Sequence, residues 1–330
     1  MTSSGSPYSK PHLELPAQVE LLVSRGLEID DRDEAERVLR AVGYYRLSGY
    51  WYPYRQPSPT GLGRADDFIA GTSFDQVARL YDFDRRLKLH LLDALERIEI
   101  AVRVQVGHVL GRRGGAYAHL VPANLDGRFL QPRVVGDPSR YDEWIRRTQD
   151  AQRRSREDFV EHFRARYDGR LPIWAVTEIL DFGGVSALYN GLIRADRDEI
   201  ARELGAFDAA GQGNGAALGN WLWVINYLRN VCAHHSRLWN RNMDVQIAPA
   251  RLQSIGPLAR LHGGPPAQVA RVFGPLCLVM FLLAEVCAED VAARWRDDLL
   301  RLLESAMRGT GRSVREMGFP GDWTGWALWR

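Results

Sequence analysis

The sequence predicts an all-α bundle, on three observations. Apolar residues recur at steps of three and four over long stretches, no stretch sustains period-two alternation, and neither a strand–helix–strand rhythm nor a fixed-period repeat is present. The clearest helix spans 74–110, where Leu80, Phe83, Leu87, Leu91, Leu95, Ile98, Val102, Val106 and Val109 form one stripe.

The other elements follow in order. Pro16 opens a short helix whose Val19, Leu22 and Val23 share a face, and Gly26 closes it. Asp31 followed by Glu34 resembles a capping box, with Asp in place of Ser or Thr, ahead of Ala35, Val38 and Leu39. An aromatic stretch covers 43–55, and a Pro- and Gly-rich loop covers 56–66. Beyond the long helix, 122–138 reads as a loop and 141–167 as one charged, mostly exposed helix. The segment 174–193 is apolar at helical spacing, with Gly183-Gly184 bending or breaking it. A Gly/Ala-rich loop at 205–216 precedes a strongly apolar helix over 218–239, and further helices cover 269–287 and 291–307. The tail 319–330 folds back through its three tryptophans. The chain is read as a single domain over 1–330, with the polar, serine-rich residues 1–10 disordered.

Composition narrows the class. With 45% hydrophobic and 25% charged residues the chain is neither a disordered polymer nor a fibre. The net charge of +2 leaves any basic surface local. Arginine greatly outnumbers lysine, which suits forked phosphate contacts, although a GC-rich genome produces the same bias. Cys232, Cys277 and Cys287 are odd in number and lack CxxC spacing, so a reducing compartment is expected rather than a disulfide framework. The N-terminus has no apolar core of a signal peptide. The most apolar run, 272–286, contains Gly274, Pro275 and Glu285 and falls short of the ~20 residues that span a bilayer. A cytoplasmic protein without a membrane partner is expected.

The chemistry concentrates in 221–241, which loads Arg229, Asn230, His234, His235, Arg237 and Arg241 onto the end of an otherwise apolar helix. Burying such groups without partners costs roughly 1–3 kcal/mol each even when neutral. They therefore either satisfy one another as a polar helix end or face a crevice. Asn230 and His234 lie four apart on one face. Arg229 and His234 are separated by about 140° of rotation and about 7.5 Å of rise, so they meet only on a shared ligand. Histidine suits acid and base roles, and arginine clamps phosphate oxygens. That pairing fits RNA cleavage by attack of a ribose 2′-OH on its neighbouring phosphate. One chain supplies one such His and one such Arg; two copies across a two-fold axis supply both an acid and a base, so a homodimer is expected.

These residues, in their context, resemble a known family. Arg229-Asn230-Val231-Cys232-Ala233-His234 at the end of an apolar helix resembles the Rx4–6H signature of HEPN ribonucleases. The flanking blocks resemble the Abi-like (AbiD/AbiF type) abortive-infection proteins of bacteria. They are Gln18-Val19-Glu20-Leu21-Leu22, Gly43-Tyr44-Tyr45-Arg46-Leu47-Ser48-Gly49-Tyr50, Glu96-Arg97-Ile98-Glu99, Asp181-Phe182-Gly183-Gly184 and Met317-Gly318-Phe319-Pro320-Gly321-Asp322-Trp323. The resemblance implies a HEPN-like helical bundle with additional N- and C-terminal helices. It implies an endoribonuclease that cuts RNA without metal or other cofactor, in phage defence or as a toxin. By motif match Arg229, Asn230 and His234 are the catalytic residues. An antitoxin, protein or RNA, is a further implied partner. Some HEPN toxins carry a tyrosine two residues after the histidine, where nucleotides are attached; Ser236 stands there.

Around this motif, Glu96, Glu99 and Arg103 lie within roughly 60° of one another on the long helix. They read either as residues that orient Arg229 or His234, or as an ion-pair run at a helix contact worth tenths of a kcal/mol per exposed pair. His235 points about 100° away from His234 and reads as a supporting, surface or interface residue. Arg237 and Arg241 are candidate RNA contacts. So are Tyr45 and Arg46, although aromatics this dense also fill cores. The arginine run Arg146-Arg147, Arg153-Arg154 and Arg156 reads as a solvated face or a set of phosphate contacts. A metal site at Cys232, His234 and His235 matches no common zinc spacing, and none is expected. The competing functions are a non-catalytic RNA-binding or sensor protein and a helical interaction subunit.

Overall fold

Local signals set the helix ends, and burial of apolar faces holds the helices together. The computed structural model describes residues 11–330; the expectation for 1–10 lies outside them. Pro16 stands in the first turn of α1 (Leu15–Ser24). The Asp31 side chain accepts from the Glu34 N–H at 2.8 Å and opens α2 (Arg32–Val42). Gly43, at φ +88°, turns the chain directly into α3 (Tyr44–Trp51). A hairpin of β1 (Arg55–Pro57) and β2 (Arg64–Phe68) precedes the long α4 (Phe74–Gly114).

The described residues up to Arg86, with Leu302–Arg312, form one compact unit, and Leu87–Arg301 with Ser313–Arg330 form another. The first unit centres on Tyr50 and Trp51, both fully buried. The Trp51 ring stands edge-on to Tyr44 at 4.8 Å and to Phe68 at 6.4 Å. Tyr50 Oη donates to Asp84 Oδ2 at 2.6 Å, which gives that buried carboxylate a partner. Tyr45, by contrast, is 91% exposed.

The second unit holds α5 (Gly127–Leu130), α6 (Arg140–Arg154), α7 (Asp158–Arg166), α8 (Ile173–Ile179), α9 (Phe182–Gly191) and α10 (Arg194–Glu203). It continues with α11 (Gly215–Ala233), α12 (Pro266–Ala270), α13 (Phe273–Val286) and the greater part of α14 (Glu289–Met307). Helix α11 packs against α9, α10 and α13, while α6 packs against α8 and α9. Every residue of α13 from Phe273 to Leu283 is buried, as its unbroken apolar run requires. The tail wraps over its start: Phe319, Trp326 and Trp329 approach the Phe273 ring at 4.7, 5.2 and 6.3 Å. No described helix is long and apolar enough to cross a membrane.

The all-α class stands, and several boundaries move. The loop expected over 56–66 is bounded by a short antiparallel hairpin whose strands are too brief to show alternation. The single helix expected over 141–167 is two, broken at Ser155. The break in 174–193 falls at Leu180-Asp181, two residues ahead of the expected glycines. The Asp181 carboxylate accepts from Gly184 N–H at 2.7 Å and caps α9, which places both glycines inside its first turn. Helix α10 had no counterpart in the apolar periodicity, because it is charged on most of its surface. The loop expected to reach residue 216 ends at Asn214, whose side chain accepts from Ala217 N–H at 3.0 Å. At its other end α11 stops at Ala233 rather than 239.

Candidate active site

That early stop shapes the motif. The last turn of α11 closes with paired bonds: Ser236 N–H reaches back to the Val231 carbonyl at 3.0 Å and His235 N–H to that of Cys232 at 3.1 Å. This is the Schellman closure, and it places His234 at the helix cap and His235 in the left-handed region, at φ 56°. Glycine ordinarily occupies that position, because a Cβ there costs roughly 1–2 kcal/mol. The turn is pinned from outside by Lys88, whose buried ammonium donates to the Ser236 carbonyl at 3.1 Å. The imidazole of His234 is exposed.

One turn back, Arg229 points the other way. Its Nε lies 3.8 Å from Glu99 Oε2 on α4, and its Nη1 stands 3.4 Å from Asn230 Oδ1. Glu99 is buried and bridges two arginines, since its Oε1 also accepts from Arg103 Nη2 at 2.7 Å. The same Arg103 nitrogen donates to the Leu180 carbonyl at 3.0 Å, tying α4 to the start of α9. Burial pushes the Glu99 carboxyl up from the ordinary carboxylate range. Arg103 and Arg229 pull it down, and Asp181 and Glu96 push it up further. Glu96 is itself exposed at the edge of this group.

Arg229 and Asn230 sit at one part of a cleft of about 860 Å³, enclosed by α6, α9 and α11. Its α11 wall is a polar and aromatic stripe, Trp223, Asn226, Tyr227 and Asn230, at the three- and four-residue steps of one helix face. The opposite face of the helix is apolar and buried, from Leu218 through Leu222 and Ile225 to Leu228. The α6 wall presents Arg140, Arg147 and Arg154 at seven-residue steps. Trp144 fixes that wall by donating from Nε1 to the Gly184 carbonyl at 3.0 Å. Gly183 lines the same wall, where a Cβ would meet the Asn226 amide at 3.6 Å, an ordinary van der Waals contact. The cleft lining includes Arg229 and Asn230 and does not include His234, which presents its ring from the adjoining turn.

The other expected residues divide. Arg241 is committed within the chain: its Nε donates to Tyr227 Oη at 2.8 Å, its guanidinium lies over that ring at 5.6 Å, and Asp244 is 3.6 Å away. Arg237 is half-buried in the turn after the motif, and its carbonyl accepts from Arg241 at 3.4 Å. Tyr45 and Arg46 belong to the first compact unit. Of the α6 arginines, Arg147 and Arg154 face the cleft, together with Arg140, which the run of arginine pairs did not single out. Trp223, Asn226 and Tyr227 were not singled out in the sequence; the signal available was their spacing of seven, four and three residues before Asn230, on its helix face. Among the described residues no three His, Cys, Asp or Glu side chains converge as a metal cluster.

A family model described as Abi-like protein matches residues 37–240, from within α2 through the motif and its closing turn. No curated protein and no solved structure matches the chain.

Proposed function

The chain belongs to the Abi-like protein family, and from that premise we propose that it is a HEPN-type endoribonuclease acting in phage defence or as a toxin. The observation that carries this reading is the arrangement of the motif. Arg229 and Asn230 face a cation-rich cleft while His234 stands exposed on a pinned turn less than two helical turns further along. A phosphate at that edge of the cleft takes the Arg229 guanidinium as a forked donor, with the Asn230 amide as a second donor.

The reaction is a transesterification that needs no metal. A base takes the proton of the ribose 2′-OH, and the oxygen forms a bond to the adjacent phosphorus. The bond from phosphorus to the 5′-oxygen of the next nucleotide breaks, and an acid protonates the leaving oxygen. The products are a 2′,3′-cyclic phosphate and a 5′-OH. His234 serves as acid or base, and Arg229 offsets the charge that grows on the phosphate oxygens. Each chain offers one such imidazole. The second proton-transfer group comes from His234 of a second copy, so the working site is composite and the protein a homodimer.

Glu99 holds Arg229 in this reading and does not itself touch RNA. Induced expression tests the proposal: the wild-type chain arrests growth and degrades cellular RNA, and His234→Ala does neither. A second reading is favoured by the unpaired arginines of the cleft, namely a protein that binds RNA without cutting it. His234→Ala and the wild type would then bind equally and leave RNA intact.

A further inference from the structure

The cleft is larger than the motif needs. A single phosphate would be held by Arg229 and Asn230 alone, yet the lining continues along the full length of α6. Arg140, Arg147 and Arg154 project from one face of that helix at about 10.5 Å intervals and together span about 21 Å. Five arginines line the cleft against three carboxylates. One of those carboxylates, Asp181, is already occupied in capping α9, and another, Asp150, is paired with Arg153.

What sets these arginines apart is their common face toward the cleft together with their free charge. Several helix-surface arginines elsewhere pair with a carboxylate three or four residues away, as in Arg37 with Glu34, Arg79 with Asp75 and Arg97 with Asp93, while Arg86, Arg146, Arg166 and Arg202 have no such pair among the described residues. Arg147 and Arg154 are exposed and have no ion pair or hydrogen bond among the described residues, while Arg153 next to them is paired. The Arg140 guanidinium donates from Nη2 to the Arg128 carbonyl at 3.4 Å, and its Nε is buried without a partner. Across the cleft, Trp223 leaves 50% of its surface open at the centre of a helix whose other tryptophan, Trp221, is fully buried. Cations at regular spacing facing an open indole are the elements that hold a single strand: phosphates on the arginines and a base on the ring.

We propose that this cleft is the track for a single-stranded stretch of the RNA substrate, with its backbone along Arg140, Arg147 and Arg154 and a base stacked on Trp223. The inference rests on the ribonuclease reading for the identity of the ligand. The enclosed volume is of the size that takes small ligands and a few nucleotides, and it excludes a duplex, whose stacked bases cannot reach Trp223. The enzyme therefore selects loops, bulges and unpaired ends.

Full-length His234→Ala, which leaves the RNA uncut, is titrated with a fluorescent single-stranded RNA 20-mer and with the same sequence as a duplex, at several salt concentrations. The single strand binds at least about tenfold more tightly than the duplex. Adding Arg147→Ala and Arg154→Ala weakens single-strand binding by at least about tenfold and lowers the log–log salt slope by about 1.4, the value for two lost phosphate contacts. Tryptophan emission is quenched by the single strand, and Trp223→Phe abolishes that quenching. Duplex binding as tight as single-strand binding, an unchanged salt slope, or quenching that survives in Trp223→Phe would overturn the proposal. The two readings separate cleanly. A wild-type chain that binds RNA through these arginines but never cuts it leaves the track standing and removes the nuclease. A chain that cuts RNA equally well with and without Arg147 and Arg154 does the reverse.

Discussion

Arg229 Nε stands 3.8 Å from Glu99 Oε2, and the same carboxylate accepts from Arg103 at 2.7 Å. The buried acid thus fixes the direction of the motif arginine from the neighbouring helix. It does so at a cost, because burial holds its carboxyl above the ordinary range despite both arginines.

Glu99→Gln separates position from stability. A carboxyl raised on folding contributes stability that is present below its unfolded value and is lost as pH rises through the folded one. At neutral pH, removing the charge therefore leaves the melting temperature equal to or above that of the wild type, with the gap narrowing toward pH 4. RNA cleavage falls by about 10²-fold at the same time, since Arg229 loses its orienting partner. A variant that melts earlier at pH 7 but matches the wild type at pH 4 would contradict this.

His119 is expected to contribute to the acid limb of stability. It is buried against Trp144, with their rings 6.2 Å apart, its Nδ1 has no partner, and burial pushes its imidazole down to about 4. With the folded value below the unfolded one, its contribution is complete above pH 6.5 and is lost as pH falls to about 4, by about 3 kcal/mol in all. Denaturant unfolding at successive pH values shows this slope in the wild type, and His119→Leu flattens it. An equal slope in both proteins would assign the acid limb elsewhere.

The closing turn of the motif yields a comparison of two variants at one position. His235→Ala and His235→Gly remove the same side-chain interactions, but only glycine relieves the left-handed backbone at φ 56°. The glycine variant is expected to be the more stable of the two by about 1 kcal/mol, after allowance for the freedom glycine gains when unfolded. Chemical denaturation of both measures the difference, and a more stable alanine variant would show that the turn is not strained.

Lys88 is the outside clamp on that turn. Lys88→Met removes a charged donor from the Ser236 carbonyl, a bond of about 1.5–3 kcal/mol. Hydrogen exchange at 234–237 is expected to accelerate more than exchange in α13, and cleavage to fall. Uniform acceleration across the second unit would indicate a role in general stability instead.

Much of this was legible before the structure. The stripe along α4 and the apolar runs of α11 and α13 follow directly from periodicity, and the five-residue offset between Arg229 and His234 already separated their directions. What remained hidden depends on tertiary packing. Helix α6 carries charge on most of its surface, so no pattern within it tells Arg147, facing the cleft, from Arg146, which does not line it. Packing of α6 against α5, α8 and α9, with the Trp144 bond to Gly184 among its contacts, sets that rotation. The end of α11 is hidden in the sequence because Leu238 and Trp239 continue the apolar spacing past Ala233. They are buried, but from a turn rather than a helix. The short hairpin offered too few residues for any period to register.

Chemistry at Arg229 and His234 is tested most directly by the ends of the RNA products. Purified chain is incubated with a defined RNA in EDTA, and the product termini are identified for the wild type, Arg229→Ala and His234→Ala. The expected result is 2′,3′-cyclic phosphate and 5′-OH ends from the wild type and at least about 10²-fold less product from either variant. Intact RNA with the wild type, or equal cleavage by His234→Ala, would contradict it.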